Sequence, residues 1–214
     1  MKMMQMMRPI GFRHWVADIV SWLFFPPLVS TVFFVFLVFW YSNDFSQGLK
    51  WIVSVSPFLV FVPLIFFVVS YKAGWINDVD MTDRQERPVF LVVFVVSLAV
   101  ASLILYLLHV PEKFFIYTFS GLIMMIVASL ITLSWKISFH TAVTSSVVTA
   151  ITILGGIQFA PLFLLLPLVG WARVTLRKHT VNQVIGGTLV AFVVTVAVFY
   201  AFGFHFFYGV SEVR

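Results

Sequence analysis

The chain has 214 residues, of which 62% are apolar and only 10% carry a formal charge. Soluble domains have about 25% charged residues, so this composition excludes an ordinary soluble protein. The 26 phenylalanines and the mean hydropathy of +1.08 indicate a protein that is surrounded by lipid. Cysteine is absent, which excludes disulfides, thiolate catalysis and cysteine-bound metal. The net charge of +5 favours a topological signal or an anionic ligand, and nucleic acid is not an expected partner.

Stretches without Asp, Glu, Lys or Arg predict the membrane spans, because a hydrocarbon core of about 30 Å takes roughly 20 apolar residues in a helix. In chain order, these stretches are Ile19–Asn43, Trp51–Tyr71, Pro88–Pro111, Phe114–Trp135, Ile137–Ala172 and Thr180–Ser211. The fifth has 36 residues and is interrupted by Gly155-Gly156 and Pro161. It therefore predicts two short spans joined by a tight turn.

The first apolar stretch is interrupted by Pro26-Pro27. The segment before it, Ile10–Phe25, mixes polar residues with tryptophans: Arg13, His14, Asp18, Trp15 and Trp22. This pattern predicts an interfacial helix that leads into a shorter span. We therefore predict an all-α polytopic membrane bundle with six to seven spans. It forms a single domain over residues 1–214, with a basic interfacial segment at residues 1–18 and no predicted oligomeric state.

Most ionisable side chains gather in three linkers. These read YKAGWINDVDMTDRQERP after the second span, SWKISFHT after the fourth and WARVTLRKHTVNQ before the last. Two crossings separate each linker from the next, which places all three on the same membrane face. Ionisable groups at such places are costly to bury and are candidates for function. The sequence predicts one electropositive site at these helix ends, built from Arg84, Arg87, Lys136, His140, Arg173, Arg177, Lys178 and His179.

The three linkers carry residues that resemble the signature of the type 2 phosphatidic acid phosphatase superfamily, KxxxxxxRP, PSGH and SRxxxxxHxxxD. The corresponding segments are DRQERP at Asp83–Pro88, ISFH at Ile137–His140 and ARVTLRKHTVNQ at Ala172–Gln183. They lie within a motif-bearing core at residues 72–187. Five positions differ from the signature: Asp80 replaces Lys, Ile137 and Phe139 replace Pro and Gly, Ala172 replaces Ser, and Gln183 replaces Asp.

The resemblance implies a metal-independent phosphatase that is surrounded by membrane lipid and needs no cofactor. Its implied substrate is a lipid phosphate or a prenyl diphosphate, and its implied intermediate is a phosphohistidine. It implies that His179 is the nucleophile and that His140 is the general acid. It further implies that the phosphate oxygens are bound by Arg84, Arg87 and Arg173, with Arg84 supplying the charge of the missing lysine. Lys136 and Ser138 are expected to complete the phosphate-binding set.

Elementary chemistry supports this assignment. Phosphoryl transfer places negative charge on the phosphate oxygens, which guanidinium groups and helix N-terminal amides stabilise. Ser138 is expected to cap the next helix and to aim the amides of Phe139 and His140 at the phosphate. His179 is expected to open the last span, with Gln183 one turn later on the same face and in reach of its ring. Because an amide lacks the charge of a carboxylate, we expect a slow enzyme.

Two other functions fit parts of the sequence. The segment NDVDMTDR at Asn77–Arg84 resembles the aspartate-rich, Mg-dependent diphosphate motif of intramembrane prenyltransferases, although Met81 stands where that motif has Asp. Ala172 and Gln183 favour a protein of the same fold that binds or carries lipid phosphates without hydrolysing them. Mg dependence separates the first from a phosphatase, and binding without turnover identifies the second.

The distribution of basic residues predicts the orientation. Four cations are set aside as ligand-binding: Arg84, Arg87, Lys136 and Arg173. Of the remaining basic residues, six lie on the side of the predicted site and three on the other. The six are Lys2, Arg8, Arg13, Lys72, Arg177 and Lys178, and the three are Lys50, Lys113 and Arg214. By the positive-inside rule, the site is expected to face the cytoplasm, in a prokaryotic inner membrane. If Lys72, Arg177 and Lys178 belong to the phosphate site instead, the two counts approach parity and an outward-facing site is equally expected.

Overall fold

The computed structural model describes residues 11–78, 81 and 83–204, without the side chain of Arg84. Every regular element within these residues is helical, so the predicted all-α class is confirmed. The α-helices are α1 (Phe12–Leu23), α2 (Pro26–Tyr41), α3 (Phe45–Ser56), α4 (Val62–Lys72), α5 (Arg87–Leu107), α6 (Glu112–Thr132), α7 (Phe139–Gly155), α8 (Leu165–Thr175) and α9 (Val181–Ala201). A π-helical turn, Pro57–Phe61, joins α3 to α4, and 3-10 helices at Arg84–Glu86 and Ile157–Leu164 precede α5 and α8.

The helices include membrane spans, as the composition predicts. Within the described residues, five segments are long and apolar enough to cross a membrane: Phe45–Lys72, Arg87–Leu107, Glu112–Thr132, Ile157–Thr175 and Val181–Ala201. Helices α1 and α2 pass the same test together as a pair bent by 42°, which gives a sixth. Helix α7 is a shorter apolar helix of 17 residues. The described residues therefore supply five spans, or six if the bent pair α1–α2 is counted as one, in an integral membrane protein.

The break between α1 and α2 lies where the prolines predict it. Helix α2 begins at Pro26, a position where a missing N–H costs little because the first amides of a helix have no intrahelical acceptor. In α1, Ala17 and Val20 are buried against Ala172 of α8. The opposite side exposes large apolar rings, among them Trp15 and Trp22. This division of faces is typical of an interfacial helix.

The turn predicted at the paired glycines is also present. Helix α7 ends at Gly155, and Gly156 has a φ of 102°, which a side chain would disfavour. The following 3-10 segment Ile157–Leu164 contains Pro161 and leads into α8. The long fifth apolar stretch is therefore two elements joined by the predicted turn. The segment Ile157–Thr175 is long enough to cross a membrane, whereas α7 is shorter than the span that the sequence predicts.

Helix α7 lies at the centre of the bundle, since 12 of its 17 residues are buried. Its small polar side chains bond to α9. The Ser145 hydroxyl donates to the carbonyl of Thr188 at 2.9 Å, and the hydroxyls of Ser146 and Thr195 are 2.9 Å apart. Small residues and hydroxyl contacts of this kind hold helices together in lipid, where the hydrophobic effect between helices is weak. They fix the register between α7 and α9.

The N-terminal parts of α7 and α9 are in close contact at Gly187. A Cβ at this position would lie 2.5 Å from the Ser138 carbonyl oxygen and 3.1 Å from the Thr141 hydroxyl, so only glycine fits without a backbone shift. The Ser138 N–H donates to the carbonyl of Gln183 at 3.1 Å. The second motif, at the start of α7, and the end of the third motif, at the start of α9, are thereby brought side by side.

Candidate active site

The three linkers that carry the motifs meet at one end of the bundle. Arg87 Nη1 donates to the carbonyl of Ile137 at 3.4 Å, which joins the start of α5 to the start of α7. Lys136 Nζ donates to the carbonyl of Lys178 at 3.0 Å, which joins this region to the turn between α8 and α9. Lys178 Nζ lies 3.9 Å from a carboxylate oxygen of Asp78 in the loop after α4. Residues far apart in the sequence therefore form one cluster.

His179 is buried in this cluster, with 8% of its surface exposed. It lies in the turn before Thr180, the N-cap of α9, so the expectation that His179 opens the helix is wrong. The Gln183 side chain folds back over the helix start in a capping box with Thr180. Gln183 Oε1 lies 3.2 Å from His179 Nδ1. The predicted contact is present, but it arises from the cap and not from a shared helix face.

The same cap fixes the proton on the imidazole. The Thr180 N–H donates to Gln183 Oε1 at 3.1 Å, so the oxygen of the amide faces the helix start. An amide oxygen only accepts hydrogen bonds, and its contact with His179 Nδ1 therefore requires a proton on Nδ1. The lone pair of the neutral ring is then on Nε2. This is the tautomer in which Nε2 acts as a nucleophile.

The surroundings keep the His179 ring uncharged. Burial is the largest cause, and the positive charges of Lys136, Arg173 and Arg87 add to it. Together they lower the pKa of His179 from 6.5 to about 3, against a smaller opposing effect of the hydrogen bond that His179 donates to Gln183. The imidazole is therefore neutral at physiological pH. Three cations near one neutral imidazole also form a site that attracts an anion.

Arg87 is held at the first residue of α5 and is 2% exposed. Its Nε donates to the carbonyl of Met81 at 2.8 Å, and its guanidinium carbon lies 5.5 Å from the ring centroid of Phe139. These contacts fix the plane of the Arg87 guanidinium group, whose paired N–H donors have the right spacing to bind two oxygens of a phosphate. Arg87 thus combines a structural role in the loop with a fixed positive charge at the cluster.

Arg173 lies in the last turn of α8 and is 2% exposed. Its Nη1 donates to the hydroxyl of Ser21 in α1 at 2.6 Å. Arg173 lines a cavity of about 140 Å³ together with His140 and Lys178. The cavity is completed by Leu176 and by four residues at the junction of α1 and α2, namely Asp18, Ser21, Trp22 and Phe25.

His140 faces this cavity from the first turn of α7 and is 6% exposed. Its ring centroid lies 6.1 Å from that of Phe25. The Ser138 side chain accepts from the Thr141 N–H at 3.5 Å, so the predicted N-cap is confirmed. The positive end of the α7 dipole, with the first-turn amides of Phe139 and His140, is therefore located at the cavity.

The other residues that the sequence singles out lie outside the described residues, support the loops of the site or are exposed. Asp80 and the side chain of Arg84 lie outside the described residues. Lys136, predicted to bind phosphate, bonds to the carbonyl of Lys178 and so also supports the turn that carries His179. The Glu86 carboxylate accepts from the backbone and side chain of Asn77, so at least this acidic residue of the loop has a structural role. Arg177 is exposed.

Sequence reasoning missed the contribution of α1 to the site. A signal was present, because the parity that places the three linkers on one membrane face also places the α1–α2 junction there. In addition, Asp18 and Ser21 are three residues apart, a spacing that puts both on one helix face. A polar pair on an otherwise aromatic interfacial helix indicates contact with another polar group.

Comparisons with known proteins give no match. No protein-family model, no curated protein and no solved structure matches the chain. The resemblance to the type 2 phosphatidic acid phosphatases therefore stays a prediction that depends on the motif residues. The geometry adds that His140, His179, Arg87 and Arg173, drawn from three separate motifs, lie at one end of the bundle.

Proposed function

We propose that this protein is a metal-independent phosphatase of a lipid phosphate or prenyl diphosphate that acts through a phosphohistidine. The observation that carries the proposal is the state of His179: buried, neutral, held at Nδ1 by Gln183 and influenced by three cations. A neutral imidazole with a lone pair on Nε2 is a nucleophile, and the cations favour an anionic substrate beside it.

In the proposed first step, His179 Nε2 attacks phosphorus, the bond between phosphorus and the lipid oxygen breaks, and His140 donates a proton to that oxygen. In the second step, water attacks the phosphohistidine, His140 accepts a proton from the water, and the nitrogen–phosphorus bond breaks to release phosphate. Arg87 and Arg173 stabilise the charge on the phosphate oxygens in both steps. The lack of a carboxylate at Gln183 makes the first step slow.

The position of the cavity supports a lipid substrate. Trp22 lines the cavity and is also 62% exposed, on a bundle whose outer surface is apolar. The cavity is therefore bordered by a side chain that is also exposed on the outer surface of the bundle, in a helix with interfacial aromatic residues. A phosphate carried by a lipid lies at the same depth.

We further propose that the protein resides in a prokaryotic inner membrane with this cavity on the cytoplasmic side. The support is the basic residues counted above, of which Arg13, Lys72, Arg177 and Lys178 lie among the described residues on the cavity side. Basic residues next to membrane spans are retained in the cytoplasm.

Phosphate release from a panel of substrates tests the function. Detergent-purified protein in EDTA would receive prenyl diphosphates, phosphatidate and phosphatidylglycerol phosphate. We expect wild type to release phosphate from at least one of them and His179→Asn to release none. His109→Asn is the matched control, because His109 is an exposed histidine in the turn between α5 and α6, at the other end of the bundle. Activity of His179→Asn equal to that of wild type contradicts the proposal.

The second candidate is a protein that binds or carries lipid phosphates without turnover. Gln183 favours it, because the amide holds the ring without raising its basicity. The same panel separates the two functions when binding is measured beside release: binding without release identifies the carrier. Activity that requires added Mg²⁺ and joins a prenyl group to an acceptor identifies the prenyltransferase.

A further inference from the structure

We infer that Ser21 of α1 is a positioning residue for Arg173, so that the interfacial helix completes the phosphate site. The inference rests on the proposed function, since it concerns how Arg173 is presented to a phosphate. None of the three motifs that supply the site includes α1, and the resemblance assigns no role to Ser21.

The contact between the two residues is short, charged and buried. Arg173 Nη1 donates to Ser21 Oγ at 2.6 Å, with Ser21 7% and Arg173 2% exposed. A hydrogen bond from a charged donor is about twice as strong as one between neutral groups. It also joins two segments that are 152 residues apart in the chain. Removal of the hydroxyl would leave Arg173 without this acceptor inside a buried site.

The shape of a guanidinium group makes this contact important for orientation. Its five N–H donors lie in one rigid plane, so a fixed Nη1 restricts the direction of every other donor. Ser21 also lines the same cavity as Arg173 and His140. The bond therefore lies at the wall of this cavity. His179 does not line the cavity itself, but Arg173 belongs both to the cavity wall and to the positive charges that act on His179.

The packing of α1 explains why a serine reaches Arg173. Ala17 and Val20 are buried against Ala172, the residue next to Arg173, so small side chains let α1 approach α8 closely. The other side of α1 exposes Trp15 and Trp22 at 56% and 62%. Aromatic rings of this kind hold a helix at the membrane interface. The location of Ser21 is thus set by α8 on one side and by lipid on the other.

The test measures the affinity of the full-length, detergent-purified protein for inorganic phosphate by titration calorimetry. Ser21→Ala removes only the hydroxyl. Ser146→Ala is the matched control, because Ser146 is also a buried serine that bonds across two helices, at 2.9 Å to Thr195, but it does not line the cavity. Both substitutions are repeated in an Arg173→Lys background, which keeps the charge and removes the planar fork.

We expect Ser21→Ala to raise the dissociation constant for phosphate about tenfold, and Ser146→Ala to change it by less than about twofold. In the Arg173→Lys background, we expect Ser21→Ala to have an effect of less than about twofold, since the group that it positions is absent. An unchanged affinity in Ser21→Ala overturns the inference, as does an equal loss in both backgrounds. The proposed function would be untouched by either result. Binding by wild type that is no tighter than binding by Arg173→Lys also overturns the inference, because the planar fork would then be unimportant. If wild type does not bind phosphate at all, the proposed function fails and the inference fails with it.

Discussion

Gln183 Oε1 serves two donors at once, the Thr180 N–H at 3.1 Å and His179 Nδ1 at 3.2 Å. The cap of α9 and the orientation of the imidazole are therefore one arrangement. A substitution at position 183 that removes this oxygen changes both the start of the helix and the orientation of the ring. Glutamate is the exception, because it has the shape of glutamine and is equally suited to a capping box.

Gln183→Glu should raise the rate of phosphate release. The added carboxylate keeps the cap, raises the pKa of the His179 imidazole and stabilises its charged form. We expect kcat to rise about tenfold or more in steady-state assays of phosphate release. Gln183→Ala, which removes both hydrogen bonds, is the control and should reduce turnover. A fall in kcat for Gln183→Glu would show that the site is built around a neutral amide.

Gly187→Ala should abolish turnover through the packing of the two motif helices. The new Cβ would lie 2.5 Å from the Ser138 carbonyl oxygen, so α9 must move away from α7. Overpacking of this kind costs about 1–3 kcal/mol. Gly121→Ala in α6 is the matched control, because no atom lies within 4 Å of a Cβ built there.

Thermal unfolding in detergent and phosphate release would be measured for both glycine variants. We expect Gly187→Ala to unfold at a lower temperature and to lose activity, and Gly121→Ala to keep both. Equal behaviour of the two variants would mean that the close approach at Gly187 is unimportant.

Acid pH should destabilise wild type more than His179→Asn. The folded pKa of His179 is about 3, whereas the unfolded value is 6.5, so between these values the unfolded chain binds the extra proton. This contribution to stability is complete above the unfolded pKa of 6.5 and is lost progressively as the pH falls from that value to the folded pKa of about 3. By about pH 5 the loss is about 2 kcal/mol.

The measurement is the unfolding temperature at about pH 7.5 and about pH 5 for wild type, His179→Asn and His14→Asn. His14 is an exposed histidine in α1, so its substitution should leave the acid sensitivity of wild type intact. Parallel pH dependences of wild type and His179→Asn would contradict a depressed pKa for the buried imidazole.

The membrane orientation is testable with two single cysteines, because the chain has none of its own. One continuous helix of 28 residues runs over Phe45–Lys72. Ser46 is its second residue, Ala73 follows its last residue, and both are exposed. They therefore lie on opposite membrane faces, whatever the number of other spans. An impermeant thiol reagent should label Ser46→Cys in intact cells and leave Ala73→Cys unlabelled. The reverse pattern places the site outside.

Local signals in the sequence account for most of the fold. The breaks at Pro26 and Gly156 were predicted because proline and glycine change the backbone wherever they occur. Parity predicted that three linkers share a membrane face, since it depends only on counting spans. The Ser138 cap was predicted from its position before an apolar helix.

Features that depend on side-chain contacts between distant segments were not predicted. The N-terminus of α9 was misplaced because Thr180 and Gln183 form a capping box that leaves His179 outside the helix. The bond from Arg173 to Ser21 joins residues whose relative position is set by packing of α1 on α8. No spacing pattern in the sequence encodes that contact.

The central claim is that His179 becomes phosphorylated, and trapping the intermediate tests it most directly. Wild type would be mixed with a substrate carrying radioactive phosphate, using the lipid that the panel identifies, then denatured within one turnover and analysed by peptide mapping. We predict acid-labile, base-stable label on the peptide that contains His179, with none in His179→Asn and normal labelling in His109→Asn. Label that persists in His179→Asn, or turnover of substrate without any labelled protein in wild type, would contradict the account.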